Sequence, residues 1–280
     1  MRTGDSKKNE KLFEICGRSF RICEILSESH ALHVWPSAQV LAEFLLTSPH
    51  LLRGKHVVEL GAGCGLAGIA AAFCEPASMT LTDYCSRSDY GHVFPPAQPS
   101  PDSPAADPGD TVALSNCILN CRMNGLAPTE VIHGAPTADR QVRVCALNWA
   151  DFGEPLLSYG PDPDVILGAD TFYESADFEP LLATLYELLS RKRDAYFVTT
   201  YQPRSAHVLL RMLLPKWGFC VEEVAFTAHC LAPHSDEDLC PPAVGLYILR
   251  LCQPPSAALP VPGPTGPTGP IAAPLAPPHE

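Results

Sequence analysis

Positive charge is scarce in this chain: 19 Lys and Arg stand against 31 Asp and Glu, a formal net charge of −12. A protein that grips a nucleic-acid backbone needs a basic stripe, so no direct nucleic-acid partner is expected. The surplus of acid suits a cationic partner instead, such as a Lys- or Arg-rich peptide drawn in by charge. Long apolar runs are also missing. No stretch approaches the ~20 residues that cross a bilayer, so no membrane partner is expected. Residues 1–11 are charged and polar and carry no apolar centre of a secretory signal. The 12 cysteines form no dense framework, which implies reduced thiols in an intracellular setting rather than a disulfide scaffold. His229, Cys230, His234 and Cys240 cluster, but their spacing fits no standard zinc pattern, so no metal is expected.

What the chain does have is a core and a loop. At 280 residues and 46% apolar, it can bury one domain with appendages. Residues 57–68 read Val-Val-Glu-Leu-Gly-Ala-Gly-Cys-Gly-Leu-Ala-Gly. The apolar, β-branched segment 56–60 has the character of a buried parallel strand. The glycines at 61, 63, 65 and 68 let the backbone turn sharply and approach a ligand without a Cβ in between. Residues 66–73 then read as an Ala-rich helix packed on a sheet. Gly63-x-Gly65-x-x-Gly68 also satisfies the dinucleotide fingerprint, so the loop alone leaves two cofactors open. Asp83 ends the following strand-like run, where a ribose-binding acid sits in either case. Glu59, two residues before the first glycine, turns the motif into E-x-G-x-G-x-G, the pattern of S-adenosylmethionine enzymes.

The remainder alternates strands with helices. Residues 12–26 alternate as a β-hairpin, within an N-terminal extension at 1–30. Residues 37–46 have helical spacing, with Ser37 as cap after Pro36. Residues 84–110 are rich in proline and read as a surface insertion within a domain spanning 31–252. A helix is expected at 112–124 and strands at 143–149 and 164–170. The segment 178–189 is helical, 195–200 a strand, 205–217 an amphipathic helix, and 219–226 and 245–251 the closing strands. Residues 253–280 are a Pro-, Ala- and Gly-rich tail expected to be disordered. This order implies an α/β sheet with helices on both faces. Ligands bind outside the carboxyl ends of such strands, and Glu59, Asp83, Trp149 and Asp170 all fall at those ends. Asn116, Asn120 and Asn124 share one helix face and read as structural polar contacts.

Together, these segments resemble the seven-strand class I methyltransferases of family 16, known chiefly for modifying lysines. The segments that carry the resemblance are Val34-Trp-Pro-Ser-Ala38, the glycine loop, Leu147-Asn-Trp149, the run from Ile166 to Glu179, and Thr200-Tyr-Gln-Pro-Arg-Ser-Ala206. Within the family, residues 170–206 look most like a branch that methylates arginine in histone H3. The resemblance implies a mostly parallel seven-strand sheet with its last strand antiparallel, S-adenosylmethionine as cofactor, and a place in nucleus and cytoplasm. It also implies the site. Trp35 would touch the methionine end, and the backbone at Gly61, Ala62 and Gly63, with Gly65 beyond, would hold the amino-acid part. Asp83 would take the ribose hydroxyls, Trp149 would border the adenine, and Ala169 would line the wall. Glu59 would support the loop or reach the cofactor's ammonium through water.

On the acceptor side, Asp170 and Glu174 would form an acidic clamp for a guanidinium, with Tyr173 adding an edge or a hydroxyl. Asp170-Thr-Phe-Tyr173 equally matches the D-x-x-Y pattern of the lysine enzymes, which keeps lysine open as the target. A nicotinamide oxidoreductase would need a second catalytic set that the chain does not display. A non-catalytic scaffold acting through the Pro-rich tail would need basic anchors beside its prolines, and these are missing.

Overall fold

The computed structural model describes residues 8–25, 32–84, 110–131, 142–152, 160–231 and 244–252. The Pro-rich insertion, the tail, His234 and Cys240 lie outside them. Strands β1 (Lys8–Ile15) and β2 (Arg18–Ile25) form an antiparallel hairpin paired from Lys8↔Ile25 to Ile15↔Arg18. Helix α1 (Pro36–Thr47) follows. Its N-cap is Trp35 and Pro36 is its first residue, where proline's missing N–H costs nothing. Ser37 lies inside the helix and is buried, so it is not the cap expected from the sequence.

The main sheet contains β3 (His56–Leu60), β4 (Ser78–Asp83), β5 (Thr129–Val131), β6 (Val142–Ala146), β7 (Val165–Ala169), β8 (Tyr196–Tyr201), β9 (Phe219–Val224) and β10 (Gly245–Leu251). Its order is β5-β6-β4-β3-β7-β8-β10-β9, and β10 alone runs antiparallel to both neighbours. The seven strands expected from the sequence are all present, and the short edge strand β5 makes an eighth. Three polar or β-branched residues at an edge leave no periodicity to read, which is why β5 escapes notice.

Helices α2 (Leu66–Ala72), α3 (Asp110–Met123), α4 (Phe178–Ser190) and α5 (His207–Lys216) complete the layers. Neighbouring residues on a strand face opposite sides of the sheet. Val57, Val165 and Leu167 accordingly join one core with α1 and α2, through Leu41, Leu45, Leu66 and Ile69. Val58, Leu60 and Ile166 join the other, with Phe178, Leu182 and Leu185 of α4. Because β4 leaves β3 on one side and β7 joins it on the other, a crevice opens at the carboxyl ends between them.

The hairpin is tied to this body by α3. Asn120 Oδ1 accepts Cys23 N–H at 2.8 Å, while its Nδ2 donates to Cys23 O at 3.1 Å and to Cys64 O at 2.9 Å. Asn116 Nδ2 donates to Cys23 O at 2.8 Å, and Asn124 exchanges bonds of 3.0 and 2.8 Å with the Arg21 backbone. These side chains act as a surrogate strand along the edge of β2.

The expectation of reduced thiols throughout also fails. Cys220 on β9 and Cys252 just after β10 form a disulfide with Cα atoms 5.3 Å apart, so not every cysteine is a free thiol. The two are brought opposite by strand pairing across a separation of 32 residues, which no sequence spacing announces. His229 and Cys230, the described half of the possible metal cluster, instead bring their backbone N–H groups to Glu43. Among the described residues no group of three or more His, Cys, Asp or Glu side chains is placed to hold a metal ion.

Candidate functional site

The glycine loop leaves β3 at Leu60 and enters α2 at Leu66. Ala62 N–H bonds Thr82 O at 2.8 Å, fastening the loop to the end of β4. Gly61 has φ +66°, and a Cβ there would press to 3.3 Å from Thr171 Cγ2 and 3.4 Å from Trp149 Cζ2. Only glycine combines that backbone angle with that closeness. Gly68 serves a different end: a Cβ would drive into Glu59 Oε2 and Leu81 Cδ2, so this glycine lets α2 lie against the sheet.

Asp83 stands at the carboxyl end of β4 and faces the loop. Its Oδ2 accepts Gly63 N–H at 2.5 Å and its Oδ1 accepts Tyr84 N–H at 2.7 Å. On the same side, Leu147 N–H bonds Asp83 O at 2.8 Å, which brings Asn148 and Trp149 beside the acid.

These elements surround a cleft of about 660 Å³. Trp35, Gly61, Ala62, Gly63, Gly65, Asp83, Trp149 and Ala169 line it, as do Asp170, Tyr173 and Glu174. Of the site residues that the resemblance implies, Glu59 alone does not. It is 1% exposed and sits behind the loop, accepting a hydrogen bond from Gly68 N–H, while Oε2 has no partner. Glu59 therefore supports the loop from beneath rather than reaching a ligand. Burial, aided by the charge of Asp83, pushes its carboxyl up to about 8, so it is mostly protonated at neutral pH.

The cleft has two flanks, fixed by strand order. Asp83 and Trp149 follow β4 and β6 on one side of β3; Asp170 follows β7 on the other. On that second flank Tyr173, Glu174 and Asp177 sit in the turn leading to α4. Glu174 Oε1 accepts Ser175 N–H at 3.1 Å and caps a short 3-10 turn over 175–177. Burial and then the Glu174 charge raise the Asp177 carboxyl above its ordinary range. Burial, followed by Asp177, Asp83 and Glu174, raises the Tyr173 hydroxyl.

Asp170 departs from the expected open clamp. Both its oxygens are engaged by Arg204, Nη1 to Oδ1 at 2.7 Å and Nη2 to Oδ2 at 2.5 Å. Arg204 lines the cleft as well, and with Asp177 it is a site residue not singled out beforehand. Its signal was positional: it lies just past the carboxyl end of β8, where the other site residues also lie relative to their strands.

The residues present fit an adenosyl cofactor. The volume lies in the range of small-molecule sites, the loop offers bare backbone at Gly61, and Asp83 is placed for vicinal hydroxyls.

Comparison with known proteins agrees. A family model described as lysine methyltransferase matches residues 17–90 and 123–213. Histone-arginine methyltransferase METTL23 of Rattus norvegicus is 36% identical over 202 residues, covering 72% of this chain and 73% of that protein. EEF1A lysine methyltransferase 3 of Mus musculus is 28% identical over 215 residues, covering 76% and 75%. Among solved structures, the T. thermophilus 16S rRNA N2 G1207 methyltransferase in complex with AdoMet and guanosine aligns with a TM-score of 0.52 at 13% identity. That alignment covers 88% of this chain and 51% of that one, so the chain spans about half its length and the likeness concerns the fold alone.

Proposed function

The chain belongs to the lysine methyltransferase family and is an S-adenosylmethionine-dependent methyltransferase, and from that premise we propose that it methylates a protein arginine, with histone H3 as the target. The observation that carries the arginine reading is 36% identity to a relative named for that activity. The net charge of −12 supports a basic protein partner. The proposal extends to a place in the nucleus, where a histone target resides, as well as in the cytoplasm.

When bound, S-adenosylmethionine supplies a methyl group already activated on a sulfonium. The chain's task is then alignment, and positioning provides much of the rate in such displacements. Backbone at Gly61, Ala62 and Gly63 would hold its amino-acid end, and Trp35 would touch the methionine part. Asp83 would accept the ribose hydroxyls and Trp149 would border the adenine. Ala169 keeps the wall clear between the two flanks. Tyr173, Glu174 and Asp177 line the other flank; there a hydroxyl and two carboxylates would meet the incoming cation, and a carboxylate would take the proton that the acceptor nitrogen gives up.

A second reading has an observation of its own. Asp170-Thr-Phe-Tyr173 matches the D-x-x-Y pattern, and EEF1A lysine methyltransferase 3 is 28% identical, so lysine in a non-histone protein is the alternative. Labelled cofactor with paired peptides, Arg or Lys at the acceptor position, separates the two. Labelling of the Arg peptide that tolerates Tyr173→Phe supports arginine. Labelling of the Lys peptide alone, lost in Tyr173→Phe, overturns it.

A further inference from the structure

Asp170 adopts φ +56°, a left-handed conformation that few non-glycine residues reach without cost. Three contacts keep it there. Its N–H bonds Thr200 O at 2.8 Å, Gln202 N–H reaches Oδ1 at 3.3 Å, and the Arg204 fork covers both oxygens. The Asp170 side chain is 6% exposed, while that of Arg204 is 32% exposed. Arg204 Nη1 also donates to Gln202 O at 3.3 Å, which locks the guanidinium plane. A planar fork on a carboxylate is the pairing that an incoming arginine would itself make. That place is taken.

Resting on the reading of the target as a basic side chain, we propose that Arg204 is a positioning residue for methyl transfer. It fills the guanidinium position at Asp170 and holds that residue in its left-handed conformation. This fixes the turn that carries Thr171 and Tyr173 into the cleft. The target cation is then held farther along, by Tyr173, Glu174 and Asp177, and not by Asp170.

The rival arrangement has Asp170 as the clamp and Arg204 as its competitor, and the two make opposite forecasts. The test uses the full chain with Arg204→Met, Arg204→Lys, Asp170→Asn and the double variant Asp170→Asn/Arg204→Met. Methylation constants are measured on a histone H3 peptide and S-adenosylhomocysteine affinity by calorimetry. Fluorescence anisotropy gives peptide affinity independently of turnover. Loss of one charged hydrogen-bond pair should lower kcat by about tenfold or more in Arg204→Met and in Asp170→Asn. The double variant should be no worse than the poorer single one, because both remove the same pair. Peptide KM and peptide affinity should stay near wild type. Arg204→Lys keeps the charge and is expected to fold, and should lose several-fold in kcat because an ammonium cannot form the fork. Wild-type constants in Arg204→Lys would overturn the proposal. So would tighter peptide binding in Arg204→Met, or an additive loss in the double variant. A wild-type chain that binds S-adenosylhomocysteine but neither binds nor methylates any basic peptide would overturn the target reading itself, and this proposal with it.

Discussion

Asp83 and Glu59 show how position decides what a carboxylate does. Both flank the glycine loop, yet Asp83 faces the cleft and Glu59 is sealed beneath it. Replacing Asp83 with Ala removes a charged acceptor from the ribose position, and S-adenosylhomocysteine binding should weaken by about 2–4 kcal/mol. Calorimetry showing unchanged affinity would remove the ribose role. Glu59 carries a different expectation, because its folded-state pKa is raised from 4.5 to about 8. The folded protein then holds a proton that the unfolded chain releases, so this group's contribution is full at low pH and is lost as pH rises from about 4.5 to about 8. Glu59→Gln mimics the protonated form. It should leave stability at pH 5 nearly unchanged, remove part of the decline towards pH 8, and raise Tm there by roughly 2–6 °C. Thermal melts at the two pH values that shift equally would show that Glu59 does not titrate in this window. The sequence placed both acids at strand ends correctly, since strand and loop were both legible. Nothing in it separated a side chain pointing into the cleft from one pointing under α2, because that depends on loop closure over Gly68.

At the scale of elements, the asparagines on α3 matter most. Asn120 is fully buried and serves three backbone groups, two on Cys23 and one on Cys64 of the glycine loop. Asn120→Ala would strand those groups without water, at a cost of about 2–4 kcal/mol. Tm should fall by roughly 5–10 °C, with faster amide exchange in β2 than in β8. A melt within 2 °C of wild type would mean that the hairpin is held chiefly by its apolar contacts (about 0.5 kcal/mol is the surface-mutation scale). Their spacing of four was visible in the sequence, but their partner was not. A helix face says that residues share a direction, not which strand edge waits there. The same limit hid the Asp170–Arg204 pair and the Cys220–Cys252 bond, both made by strands meeting across the sheet. The short apolar runs of β7 and β8 and the helical spacing of α4 could be read directly, whereas β5 and the true cap of α1 could not.

For the whole molecule, the described residues that line the cleft all lie upstream of strand β10. Deleting residues 256–280 should therefore leave S-adenosylhomocysteine affinity and peptide methylation close to wild type, and a several-fold loss on a short peptide would show that the tail reaches the site. The excess of acid acts at this scale too. A net charge of −12 should make the rate of encounter with a basic peptide fall steeply with salt, while cofactor affinity changes little. The most direct test incubates the purified chain and its Asp83→Ala variant with labelled S-adenosylmethionine and histone H3, and maps the label by mass spectrometry. The expected result is methylated arginine in histone H3 that Asp83→Ala largely abolishes. Methyl-lysine alone, or an unmodified histone from a chain that binds the cofactor, would contradict it.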